Sequence, residues 1–144
     1  MGYSPNASNP LSSKSTAKQA GNSTGTTLAK CIPVKITSIG METIDPSIET
    51  DVDSFAGVTR TSVNDGDVGE VVTSGLISDS GLSFAVGSVI YVSKSGGVTN
   101  SKPSIGVGGF TEGDFIIRLG VVIENESNPS LKDVLLNIQF LGQL

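Results

Sequence analysis

Few residues in this chain are equipped for chemistry. There is no His among its 144 residues, which removes Ser-His-Asp and Cys-His constellations. One cysteine, Cys31, allows neither an intrachain disulfide nor a thiolate metal cluster. General burial statistics for free thiols make it a buried structural residue rather than a bridge between copies. Oxygen ligands are better represented. "DPSIETDVDS" sets Glu49, Asp51 and Asp53 two apart, so on a strand they would share one face. "NDGDVGE" gathers Asn64, Asp65, Asp67 and Glu70 beside a turn. Such groups suit Ca²⁺, but neither run has the twelve-residue loop spacing, so solvated loop carboxylates are the expectation. Paired carboxylates also serve glycoside hydrolysis, yet 5% aromatics leave little to build a sugar cleft. "SIGVGGF" (Gly106, Gly108, Gly109) lacks the full dinucleotide fingerprint and any βαβ context, and reads as a tight bend. No serine sits in a G-x-S-x-G elbow. The expectation is a protein with no catalytic residues, no metal and no cofactor.

The elements that must carry these residues are β-like. "KCIPVKITSI" alternates Ile32, Val34 and Ile36 against Cys31, Lys35 and Thr37. Pro33, without an amide donor, places that strand at an edge or at the start of a sheet. "FAGVTRTSV" and "EVVTSGLI" flank "NDGD", where Asp65-Gly66 predicts a type I′ turn. "SVIYVS", "KSGG" and "VTN" read as strand, turn and short return strand. "GDFIIRLGVVI" is the most apolar run, and its Gly120 predicts a bulge or a close backbone approach. In "SLKDVLLNIQFLGQL", Val134, Leu136, Ile138 and Phe140 alternate. Leu131, Leu135 and Ile138 also fall at helical spacing, with Ser130 and Asp133 as a weak capping box. We favour strand, which leaves Asn137 and Gln139 on one polar face. The sum is an all-β domain over residues 28–144, a compact barrel or sandwich of short antiparallel strands.

Composition sets the frame. Hydrophobic residues make up 37% and charged ones 16%, so the chain can build a core under a polar, weakly ionic surface. A net charge of −5 repels phosphate backbones and argues against nucleic acid. No apolar run is long enough to span a bilayer. "MGYSPNASNP" has neither a basic start nor an apolar stretch, so it is not expected to be a signal peptide. Asn6 breaks the myristoylation pattern. Residues 1–27 are rich in Ser, Thr, Asn, Gly and Pro, with Tyr3 and Leu11 as the only sizeable apolar groups. Alone they bury too little surface to offset chain entropy. They are either an unstructured terminus or an extended arm ordered against a partner, with Tyr3, Pro5, Pro10 and Leu11 as its anchors.

From residue 55 the order of phrases resembles that of tailed-phage head decoration (cement) proteins and related small virion surface proteins. "FAGVTRTSVNDGDVGEVVTSGLI" resembles their "GV" strand, Gly-marked turn and "V-x-x-x-G" strand. "FAVGSVIYVSKSGGVTNSKPS" is similar to their Tyr-containing hairpin with a GG turn, and "DFIIRLGVVI" to the strand that follows. The likeness covers roughly residues 55–142. It implies a non-enzymatic virion protein that binds the major capsid protein on the outer surface of the head. Such proteins form trimers or sit singly on capsomers, and here the polar arm would lie across neighbouring capsid subunits. The alternatives are a receptor- or glycan-binding module of a tail or fibre, and a host-side β-domain.

Overall fold

A computed structural model describes residues 16–144. It is nearly all β, a curled antiparallel half-barrel sheet. The strands are β1 (Thr16–Gly21), β2 (Pro33–Thr37), β3 (Gly40–Thr43), β4 (Phe55–Thr59) and β5 (Val68–Ile77). They continue as β6 (Val89–Val92), β7 (Val98–Thr99), β8 (Phe115–Glu124) and β9 (Lys132–Gln143). One short helix, α1 (Glu49–Asp53), precedes β4.

β5 is the shared wall. Val71 and Val72 pair with β4 on one side (Thr59, Val58) and with β1 on the other (Lys18, Ala17). Ser74 likewise stands between Thr16 and Asn137. Since a strand has two edges, β4 and β9 follow one another along one edge of β5 and β1 occupies the other. Pairing continues from β9 through β8 and β6 to β7. In the other direction it runs from β4 through β2 to β3 and returns to the end of β1 through an Asn22–Met41 bridge. This ring packs Leu28, Val34, Met41 and Val71 inside it. Val72 points to the opposite face of β5 and joins the larger core of Cys31, Ile44, Val58, Ile77, Ile90, Ile117, Leu119, Val122 and Val134. Successive valines on one strand thus serve two cores, as the two-residue period requires.

The hairpin expected at 87–104 is present. Tyr91 pairs with Thr99 and Val92 with Val98, and Ser93 N–H donates to the Gly97 carbonyl at 2.9 Å. Pro33 is the first residue of β2. Gly120 fulfils its expected role: the β8–β9 register shifts between Arg118 and Gly120, and a Cβ there would overlap the Leu135 carbonyl oxygen. Buried positions change parity across the shift, from Ile117 and Leu119 to Gly120 and Val122. The C-terminal segment is strand, not helix, because β8 and β5 supply backbone partners along Lys132–Gln143.

Three expectations need correction. First, the boundary placed after residue 27 falls inside the sheet, because β1 pairs with β5 over Thr16–Gly21. The segment has little apolar surface of its own, and neighbouring backbone orders it. Second, Glu49, Asp51 and Asp53 lie on a single helical turn rather than a strand. Third, the Asp65-Gly66 turn is not type I′. Only Gly66 has positive φ (82°), and the turn closes by Asp67 N–H to the Asn64 carbonyl.

Candidate functional site

Of the groups singled out for chemistry, Asp51, Asp65 and Glu70 are engaged in structural contacts. Asp51, on α1, receives Lys35 through one carboxylate oxygen and the Asp45 amide (3.0 Å) through the other. The hydrogen bond to Asp51 raises the Lys35 ammonium above its ordinary pKa. Glu49 and Asp53 are exposed on the same turn. Asp65 accepts from the Gly25 amide at 2.9 Å, and Glu70 pairs with Arg60 at 2.7 Å. Asn64 and Asp67 are exposed loop residues. Among the described residues no three His, Cys, Asp or Glu side chains converge on a metal position.

Cys31 is fully buried in the larger core with φ 59°, and burial pushes its thiol up to about 12. Gly106 and Phe110 close the expected bend, the Gly106 amide donating to the Phe110 carbonyl at 2.9 Å. Beside that bend is a hollow of about 280 Å³ lined by hydroxyls of Ser93, Ser95, Thr99 and Ser101 with Val98 and Phe110. It contains no ionisable group. Tyr3, Pro5, Pro10 and Leu11 lie outside the described residues.

What the sheet does offer is surface. Leu76 pairs with Leu135, Leu135 with Val121, and Val121 with Val89. Directly paired residues share a face, so these four form a row crossing β5, β9, β8 and β6. The next row, Ile77–Val134–Val122, is fully buried. The first row therefore faces outward, with Leu76 42% and Leu135 51% exposed. It borders a second hollow of about 280 Å³ lined by Leu76, Ile123, Asn125 and the carboxylates Glu124, Glu126 and Asp133. Asp133 is buried and holds the Asp79 amide and the Asn125 side chain at 2.8 and 2.9 Å. The sequence carried one signal of this row: Leu135 interrupts the polar parity of Asn137 and Gln139.

A curled sheet in which Asp51, Asp65 and Asp133 brace loops presents extended outer faces of the kind that a contact-making protein uses. The model of the phage cement protein family matches residues 23–137, most of the chain, and the chain belongs to that family. It is a structural protein that decorates the phage capsid, at the surface of the virion. No curated protein and no solved structure matches it.

Proposed function

We propose that the protein binds the outer face of the major capsid protein shell and stabilises the head, working by contact area without catalysis. The family match over residues 23–137 carries this reading. The anchoring of Asp51, Asp65 and Glu70 in ion pairs and backbone contacts supports the absence of an active site. A net charge of −5 supports a protein partner over nucleic acid. Among the described residues no helix is long and apolar enough to cross a membrane.

The working unit is a trimer, and residues preceding β1 serve as a tether across the shell with Tyr3, Pro5, Pro10 and Leu11 as contacts. Prolines reduce the entropy lost when such a segment docks. The test uses purified heads lacking this protein. Added protein should bind them and raise their disruption temperature, and removal of residues 2–15 should weaken binding while the fold is kept. Equal binding by the truncated chain rejects the tether. Labelling of tails instead of heads rejects the decoration reading, and a monomer in sedimentation on and off the particle rejects the trimer.

A further inference from the structure

We propose that the row Leu76–Leu135–Val121–Val89, with the acidic hollow beside it, is the face that lies on the shell. Its occupant is an extended segment of the major capsid protein carrying a lysine or arginine next to apolar side chains. This inference rests on the decoration reading above and names the surface that performs it.

Three observations converge. The row runs perpendicular to four strands, so at about 4.8 Å per strand it is roughly 14 Å long, enough for an extended segment of four or five residues. Leu76 and Leu135 at its start project from a rigid ladder, and the buried row beneath holds that ladder in place. Both remain exposed in the folded chain and are open to a partner.

The chemistry of the rim selects that partner. Glu124 and Glu126 are exposed beside Leu76 and Ile123, and neither belongs to an ion pair among the described residues. Lys132 lies opposite Glu124 in the ladder, so Glu126 is the freer of the two. An apolar floor with an acidic wall fits a basic-apolar segment, and a second copy of this acidic chain would bring like charge to it.

Position agrees. The chain enters the sheet at Thr16, opposite Ser74 and two residues from Leu76. The proposed tether would therefore join the domain two residues along β5 from Leu76.

The experiment compares four proteins on purified heads lacking the native copy. They are the full chain, L76T/L135T, E124K/E126K, and the control I105T/V107T, whose residues are exposed on a loop elsewhere. Threonine keeps strand propensity, and melting of each free variant checks folding. L76T/L135T should weaken head binding at least about tenfold. E124K/E126K should weaken it severalfold with a reduced salt dependence, and the control should bind as the full chain does. If the full chain binds and L76T/L135T binds equally well, this face is not the contact, although decoration stands. If the full chain does not bind heads, the decoration reading itself fails. If L76T/L135T instead changes the sedimentation of the free protein, the row is an interface between copies. If deletion of residues 2–15 alone raises solvent exchange at the Leu135 amide, the chain's own N-terminus covers the row. Either of these last results overturns the proposal.

Discussion

Lys94 holds two parts of the chain together through one ammonium. Its Nζ lies 3.0 Å from Asp114 and 3.8 Å from Asp45, so it joins the end of β6 to the loop before α1 and the turn before β8. Burial pushes the Asp114 carboxyl up. The Thr111 amide (2.8 Å) and Lys94 outweigh that and leave it below its ordinary value. Asp45 is likewise held down against burial by the Ser47 hydroxyl and amide and by Lys94. A carboxylate with a depressed folded-state pKa stabilises the fold above its unfolded value near 4 and loses that contribution as pH falls through the folded value. Thermal melts should therefore fall steeply below about pH 4. D114N should lose about 2–3 kcal/mol at pH 7 and flatten that acid limb. An unchanged limb would show that other carboxylates set it. Cys31 follows the opposite sign. With its thiol raised to about 12, the native protein should resist a thiol reagent at pH 8 and react fully once unfolded.

At the scale of elements, β1 depends on Asn22 at its end. That buried amide donates to the Thr26 and Val63 carbonyls at 2.8 and 2.9 Å, and accepts from the Thr24 amide and hydroxyl at 2.9 and 2.7 Å. N22A would take one donor each from the Thr26 and Val63 carbonyls, which keep the Thr24 hydroxyl and the Leu28 amide, and would remove the acceptor of the Thr24 amide, so it should destabilise by about 1–2 kcal/mol in denaturant unfolding. Truncation sharpens the point. Removal of residues 2–15 should leave the unfolding midpoint nearly unchanged, whereas removal of residues 2–27 takes away β1 and the Asn22 bridge. The second deletion opens the ring around Val34, Met41 and Val71 and should lower the midpoint clearly. G120A should cost about 2–3 kcal/mol, because a Cβ meets the Leu135 carbonyl and backbone cannot yield as a side chain does.

For the whole molecule, two cores share the wall of β5, and the curled strand ladder leaves apolar and polar faces outside. Among the described residues no acidic cluster is placed to hold an ion, so a chelator should leave the melting temperature where it was. A fall reversed by Ca²⁺ would assign a ligand role to Asp51, Asp53 or Asp65. What the sequence by itself determined was local. The two-residue period in "IPVKI" and "FIIRL", the β-branched and aromatic run "VIYV", the GG turn after Tyr91 and the tight approach at Gly120 are properties of neighbouring residues, legible without a partner. The order of those phrases also pointed to the cement family. The tertiary structure decided the rest, because each such feature depends on residues distant in the chain. "TAKQAG" has no strong strand signal, and β5 makes it a strand. "ETDVD" looked like alternating carboxylates, and a one-turn helix with Lys35 against Asp51 made it a brace. The outward row of Leu76, Leu135, Val121 and Val89 joins four strands that lie far apart in the sequence, and register, not composition, sets which side chains stand side by side.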